Sequence, residues 1–539
     1  MNRASPQATS SSFPGPMHSL VRAFERLVRR VLRQTDAGLN RLYGWRHNPL
    51  YQSGTIVVLL FLVLLVTGLW LLLFYRVGAP WDSVARLTAN RWTGNWVRGL
   101  HRYSSDAAVV AAVVHAVRMV AQGRSWGPRL LAWVSGMVLL GLLFVCGVTG
   151  FVMVWDGFGA ELALEGARIV DALPILSEPI SRAFVGERPI QGVFFFLNLF
   201  LHIAIPLAMG LGLWLHVSRL ARPVLLPPQA LARGLVLLLL AVAVIWPLAM
   251  APEASPFSRP EFVAVDWFYG FWLPLTRPLP GAAVWALGII VTATFVFFPS
   301  WAHRRGAERP PPSTVDAALC TGCRQCGLDC PFDAITMLPR TDGRADVVAD
   351  VDPALCVSCG ICAGSCAPMG VGPPGRTGRD QLETIRRFMA DPVRRPDQVV
   401  VIACGHGAGA LTADLEAAGS AVYAVDCAGN LHTSVVEYAI RAGAAGVLVL
   451  ACPPRDCKNR EGPLWLEQRI YHEREAELQA RVDRDRVAVA HAAAGERAVA
   501  LGALHQFQAA LARLVPPTAE AEIQVEAVCE PAAEEEVTR

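Results

Sequence analysis

Hydrophobic and polar positions divide this chain in two. Up to about residue 300, long apolar runs follow one another near 54–75, 101–121, 129–154, 192–217, 232–250 and 281–299, with polar, arginine-bearing segments between them. Each run approaches the ~20 residues that a helix needs to cross the hydrocarbon core of a bilayer, so the pattern predicts six transmembrane helices. After "WAHRRGAERPPPS" the hydropathy collapses, and the proline-rich stretch reads as a linker into a soluble half. There the period changes. "VVVIAC", "SAVYAVDC" and "AGVLVLAC" are short β-rich runs alternating with helical ones such as "TSVVEYAIRAG", the pattern of a small α/β unit with a parallel sheet. Residues 463–515 read as helical, and the last two dozen, acidic and rich in Ala and Pro, as disordered.

Composition adds little until charge is placed along the chain. Of 539 residues, 53% are hydrophobic and the net charge is only +3, which argues for a membrane and against a nucleic-acid partner. Arginines cluster before the first run, then at Arg118, Arg124 and Arg129, at Arg219, Arg222 and Arg233, and at Arg304 and Arg305. With an even number of crossings these all fall on one side, which the positive-inside rule makes cytoplasmic. The expected location is a bacterial inner membrane, with both termini and the soluble half in the cytoplasm. Residues 1–50 have no signal-peptide core or cleavage site and read as an amphipathic cytoplasmic segment.

The membrane half carries costly imidazoles. His101 and His115 lie fourteen positions apart in the second run, and His202 and His216 repeat the interval in the fourth. Fourteen residues are ~21 Å of helix and close to whole turns, so both rings of a pair face one way. Ionisable groups within membrane spans are usually functional, and two such helices side by side could clamp two haem irons, one near each surface. Gly54 and Gly68 in the first run, and Gly136 and Gly150 in the third, repeat the same interval and would permit close approach of a porphyrin edge. Arg98, Arg118 and Arg219 each stand three residues from a histidine, placed to meet haem propionates.

On these residues, "NPLYQSGTIVVLLFLVLLVTGLWLLLFY", "WVRGLHRYSSDAAVVAAVVHAVR" and "GVTGFVMVWDGFGA" resemble the first three helices of cytochrome b from the bc1 and b6f complexes. The resemblance spans roughly residues 40–220. It implies two b haems, the outer held by His101 and His202 and the inner by His115 and His216. The later segment "PEASPFSRPEFVAVDWFYGFWLP" is similar to the family's quinol-binding Pro-Glu-Trp-Tyr region, but reads Val265-Asp266-Trp267-Phe268. Asp266 keeps a carboxylate and Trp267 the indole, the proline and tyrosine positions differ, and Val154 stands where the family has proline. Asp266 and Trp267 are the candidate catalytic residues of an outer quinol site.

Cysteines mark the soluble half. "CTGCRQCGLDCP" and "CVSCGICAGSCAP" have the spacing of a bacterial two-cluster ferredoxin, in which three close thiolates share a cubane with a fourth from the other motif. One 4Fe-4S cluster would use Cys320, Cys323, Cys326 and Cys366, the other Cys356, Cys359, Cys362 and Cys330. From residue 398 the chain resembles the delta subunit of methyl-viologen-reducing hydrogenase, through "VVVIACGHGAG", "VYAVDCAGNL" and "AGVLVLACPPRDCKN". That resemblance implies a 2Fe-2S cluster on Cys404, Cys427, Cys452 and Cys457, and electron exchange with a flavoprotein. Gly407 replaces a cysteine usual in that family, and four thiolates could equally hold zinc. His406 and His432 read as loop residues, Cys146 as a small membrane-core residue.

These readings give a multi-domain chain. An amphipathic segment (1–50) precedes an all-α four-helix di-haem bundle (51–221) and two further transmembrane helices (222–300). A linker (301–314), an α+β ferredoxin-like domain (315–375), a delta-subunit-like α/β domain (397–515) and an acidic tail (516–539) follow. No P-loop, Rossmann fingerprint or partnered nucleophile is apparent. The expectation is a membrane electron-transfer subunit between the quinone pool and a soluble flavoprotein, dehydrogenase or heterodisulfide-reductase-like partner, with direction open and a homodimer suggested by the cytochrome b resemblance. A redox-sensing or assembly scaffold is the alternative.

Overall fold

The computed structural model describes residues 16–174, 178–184, 190, 192–218, 220–255, 266–303, 310–344, 346–391, 397–472, 474 and 476–514. Arg219, Arg304, Arg305, Val265 and the tail 516–539 lie outside the described residues. The chain forms two compact units that part near Pro310.

The first unit is helical. A helix Pro16–His47, broken at Gly44 where φ is 69°, leads into apolar helices Ser53–Leu72, Gly94–Ala121, Leu130–Val154, Gly192–Val217 and Gly281–His303. Among the described residues, five helices are long and apolar enough to cross a membrane. The predicted fifth crossing is the exception: it forms only Gln229–Ile245, 17 residues. Its length is ~26 Å, short of the hydrocarbon core. Proline sets both limits, since Pro228 precedes the first turn and Pro247 follows Trp246, whose backbone has left the helical region. Among the described residues, five helices thus reach spanning length and a sixth apolar helix is shorter, so helix length alone does not give an even number of crossings.

Ser53–Leu72 packs along Gly94–Ala121, and Leu130–Val154 along Gly192–Val217. Because lipid tails are as apolar as the side chains, such pairs are held by close packing rather than by the hydrophobic effect. Small residues likewise let Gly94–Ala121 approach the short helix Gln229–Ile245: a Cβ on Gly99 would lie 3.1 Å from that of Ala243. Leu60, Ala108, Leu143, Met209 and Ala243 form a buried apolar cluster. Ala108 and Met209 are the midpoints of the two fourteen-residue histidine intervals, and Leu143 is the midpoint of the Gly136–Gly150 interval. An apolar layer thus fills the bundle between its two histidine levels. The outward faces, with Leu69, Leu207, Leu238 and Phe295 exposed, suit a lipid surround.

The second unit begins with four short strands: β1 (Thr314–Val315), β2 (Ile335–Pro339), β3 (Val347–Val351) and β4 (Val371–Gly372). β1 pairs with β4 and β2 with β3, both antiparallel. The linker is shorter than expected, because Ser313 and Thr314 already belong to this fold. Helix Gly378–Met389 follows, opened by a capping box between Thr377 and Asp380. Strands β5 (Val400–Cys404), β6 (Ala421–Val425), β7 (Val447–Ala451) and β8 (Val487–His491) then form a parallel sheet in the order β6-β5-β7-β8. Helices Thr433–Arg441 and Gly462–Tyr471 contribute to one core and Arg497–Leu514 to the other, so β5 and β7 are apolar throughout rather than alternating. β8 lies inside the stretch read as helical. Its "VAVAH" has weak β-propensity on composition, and pairing with β7 at the sheet edge overrides it.

Candidate functional site

The two histidine helices bring their imidazoles together. The rings of His101 and His202 have centroids 6.4 Å apart, tilted by 60°, a gap that leaves room for one metal ion bonded to both nitrogens at about 2 Å. His115 and His216 form the second level, near enough to interact electrostatically.

What aims these rings is a dipeptide. Thr67 Oγ1 lies 2.9 Å from His101 Nδ1, Thr149 Oγ1 3.1 Å from His202 Nδ1, Ser135 Oγ 2.8 Å from His216 Nδ1, and Ser53 Oγ, more distantly, 3.5 Å from His115 Nδ1. The residue after each hydroxyl is one of the four predicted glycines. A Cβ on Gly68, Gly150, Gly136 or Gly54 would stand 3.2, 3.0, 3.3 or 2.9 Å from Cε1 of that same histidine. The glycines therefore make way for the imidazoles themselves, which refines the porphyrin-edge role expected of them. With Nδ1 occupied by a hydroxyl, and for His202 also by the Cys146 carbonyl at 3.0 Å, Nε2 is the nitrogen left for a metal. Sequence reasoning found the glycines and missed the hydroxyls, although Ser-Gly or Thr-Gly occurs at all four places. Losing such an orienting bond typically costs a metal site 10–100-fold in affinity. A Thr67→Val variant should accordingly retain the His101-bound haem about tenfold more weakly, measured as haem loss to an apo-globin acceptor.

The flanking arginines have protein partners. Arg98 donates to Thr88 Oγ1 at 2.8 Å, and Arg118, buried, pairs with Asp36 at 2.9 Å and lies over the Tyr51 ring. Asp266 accepts the amides of Phe268 and Tyr269 at 3.0 and 2.6 Å and pairs at 2.5 Å with Arg102, which also holds Asp106. Trp267 is 83% exposed. The tyrosine absent from its expected position has a neighbour in Tyr269, 1% exposed, with its hydroxyl 2.5 Å from Ser105 Oγ. Gly147 clears its ring, since a Cβ there would fall 2.0 Å from it. A comparison of motifs at fixed offset overlooks a tyrosine displaced by one residue.

In the second unit Cys320, Cys323, Cys326 and Cys366 line one cavity with Val315, Met337, Ala349 and Val371. The two cysteine motifs are 36 positions apart and fold alike: Arg324 and Gly360, Gly322 and Ser358, and Asp333 and Met369 all have positive φ. These turns point amides at sulfur. Ala334 N donates to Cys330 Sγ at 3.4 Å and the equivalent Gly370 N to Cys366 Sγ at 3.3 Å. Ala367, which precedes Pro368, therefore leaves the loop unchanged. Ser313 and Ser358 amides reach Cys356 Sγ, each at 3.4 Å. Burial pushes the Cys326 and Cys362 thiols up to about 12. Such thiols become ligands when bound cations stabilise their thiolates.

Cys404, Cys427 and Cys452 sit at or just beyond the carboxyl ends of β5, β6 and β7, the edge where open parallel sheets bind ligands, with Cys457 beyond. Cys404 Sγ is 4.0 Å from Cys452 Sγ. Thiol donors on Cys427 and Cys452 favour the thiolate on Cys404 and pull its pKa down, while donating to it makes those two thiols harder to ionise. A Cβ on Gly462 would lie 3.2 and 3.3 Å from the sulfurs of Cys427 and Cys457, and one on Gly407 only 3.1 Å from Cys452 Cβ. Position 407 has no room for a fifth thiol. Four thiols gathered at one sheet edge suit a metal centre held by sulfur. His432 lies in a loop as read, buried, where it caps the following helix and its Nε2 is 3.1 Å from the Cys366 carbonyl. His406 is exposed in its loop.

Apolar spanning helices, opposed imidazoles and sulfur-lined sites together define a membrane redox protein. Residues 44–222 match the family model for cytochrome b/b6/petB, residues 319–370 that for the 4Fe-4S dicluster domain, and residues 397–514 that for the methyl-viologen-reducing hydrogenase delta subunit. Among solved structures, a chain described as "Hyperthermophilic respiratory Complex III" is similar at 16% identity and a TM-score of 0.37, over 47% of this chain and 75% of that one. The three resemblances seen in the sequence hold in their order, and the protein is a membrane electron-transfer subunit with haem and iron–sulfur chemistry.

Proposed function

We propose that this subunit carries electrons between the quinone pool and a soluble cytoplasmic flavoprotein or dehydrogenase, of heterodisulfide-reductase type or similar. The observation that carries the reading is the opposed His101 and His202 pair, each ring tied through Nδ1, which leaves Nε2 as the ligand nitrogen. Two b haems, two 4Fe-4S clusters and a 2Fe-2S cluster on the cysteines named above supply one-electron chemistry when bound. His101 and His202 serve the outer haem, His115 and His216 the inner one, and Arg98, Arg118 and Arg219 the propionates. The chain's own residues do the rest: hydroxyls orient the imidazoles, the apolar layer around Ala108 and Met209 keeps water from between the two levels, and backbone amides stabilise thiolates. The iron–sulfur unit lies on the cytoplasmic face of a bacterial inner membrane.

An outer quinone site forms around Asp266 and Trp267. There Arg102, shared between Asp266 and Asp106, holds two carboxylates that can accept protons from a quinol, and the Tyr269 hydroxyl is tied to Ser105 beside them. Ferredoxin-type clusters often lie far below quinones in potential, so electrons entering from the soluble side run downhill. The opposite flow works against the membrane field at ~2.3 kcal/mol per 100 mV.

Stopped-flow spectroscopy of the purified protein tests this. Reduced ferredoxin or a low-potential flavoprotein should reduce the b haems within a catalytic turnover, and added quinone should reoxidise them. Haem bands that respond only over many minutes would point to a sensor or scaffold instead.

A further inference from the structure

Arg469 is 1% exposed, yet it makes no carboxylate pair among the described residues. Its Nε donates to the Trp465 carbonyl at 2.9 Å and its Nη2 to the Gly429 carbonyl at 2.6 Å, while Nη1 is buried without a hydrogen-bond partner. The nearby buried carboxylate, Asp329, is engaged by Arg474 at 2.5 Å and Ser365 at 2.6 Å. A buried cation whose direct partners are carbonyls, with the carboxylate near it already bonded to another arginine, is costly.

Its surroundings explain it. Gly429 stands two residues after Cys427. On the other side, a Cβ on Gly364 would lie 1.6 Å from Nη1, so the guanidinium occupies the space that Gly364 leaves open between Cys362 and Cys366. The helix that carries Arg469 starts at Gly462, against the sulfurs of Cys427 and Cys457. The two loops also touch directly, through Asn430 Nδ2 and the Gly360 carbonyl at 2.8 Å.

We propose that Arg469 is a positioning residue shared by two redox centres: its charge, wedged between them, raises the reduction potentials of both the cluster on Cys330, Cys356, Cys359 and Cys362 and the centre on Cys404, Cys427, Cys452 and Cys457. The proposal rests on the reading of both thiol sets as iron–sulfur ligands. Four thiolates give such a centre a net negative charge that grows by one on reduction, and a nearby cation favours the reduced form. Acting on both alike, it keeps the two potentials in step, so one electron leaves one centre as it enters the other with little change in driving force. Burial draws the Arg469 pKa down to about 10, and Asp329, Cys427 and Cys362 draw it back up, so ligands of both sets feel its charge.

Redox titrations of the full-length, detergent-purified protein, followed by EPR, test this with R469Q and R469K. Glutamine keeps a donor for the Gly429 carbonyl and loses the charge; lysine keeps the charge. In R469Q both midpoints should fall, each by about tenfold in the reduced-to-oxidised ratio, or about 59 mV for one electron. R469K should hold both, and the haem midpoints should stay put in either variant. Unmoved midpoints in R469Q, a shift at one centre alone, or an equal shift in R469K overturns the proposal. If R469Q does not assemble its clusters, R469K decides: parental midpoints at both centres support the shared charge, and a shift refutes it. A parent protein with two four-iron signals and no third centre ends the underlying reading, and the proposal with it. Three signals left unmoved by R469Q end the proposal alone.

Discussion

An H202A variant of the solubilised protein is expected to keep about half the haem of its parent, with the remaining half spectrally intact. Two features make the loss both large and confined. The His101–His202 gap of 6.4 Å has one imidazole on each side, so on the proposed ligation a haem there would be held by both rings, and removing either would leave it a single imidazole. The second level is fourteen residues away along each helix, beyond the layer of Leu60, Ala108, Leu143 and Met209. Packed layers of that kind lose local contacts without collapsing a helix pair that is held along its whole length. H115A or H216A should remove the other half, with a different midpoint potential among the survivors. Pyridine haemochrome content and the low-spin α-band measure both. Retention of the full haem content in all of these variants would remove imidazole ligation from the account.

The parts of this fold that were legible in the sequence are those set by periodicity. Apolar runs and fourteen-residue intervals are properties of single helices, and the repeated cysteine spacing is a property of single loops. What was not legible depends on partners distant in sequence. The hydroxyls of Thr67 and Ser135 gain meaning only when the facing helix brings a Nδ1 to 2.9 or 2.8 Å. Strand β8, Val-Ala-Val-Ala-His, carries only a five-residue signal diluted by alanine, and its pairing with β7 is what makes it a strand. The short Gln229–Ile245 helix is the reverse case: its proline limits were readable, and hydropathy counted over a window passed across Pro247. The contact between the two cysteine-bearing domains, through Asn430, His432 and Gln381, also lay beyond spacing arguments. Gln381 belongs to a helix, Gly378–Met389, in the interval the sequence reading left unassigned between the two domains, although Thr377 and Asp380 mark its start.

The cysteine motifs give the sharpest test of chain crossing. If each motif fed its own cluster, Cys366→Ser would damage the centre built on Cys356, Cys359 and Cys362. The cavity geometry predicts the opposite, because Cys366 lines the space with Cys320, Cys323 and Cys326, and its sulfur faces the Gly370 amide there. Cys366→Ser should therefore abolish or convert the cluster of the first motif and leave that of the second, and Cys330→Ser should do the reverse. Serine is nearly isosteric, so the loop with its left-handed Met369 can persist, but an alkoxide is a harder and more basic ligand than a thiolate and binds iron of a cubane poorly. Each variant should lose up to about four irons per chain, or about one where a three-iron centre remains. EPR on double variants identifies the survivor, because Arg469 is seated against Gly364 of the second motif. In the double variant Cys366→Ser, Arg469→Gln the surviving four-iron signal should still move to lower potential, whereas in Cys330→Ser, Arg469→Gln the survivor should stay near its parental value. A four-iron centre that follows its own motif in both single variants would mean that the thiolates do not cross, and the assignment of all eight would have to be redrawn.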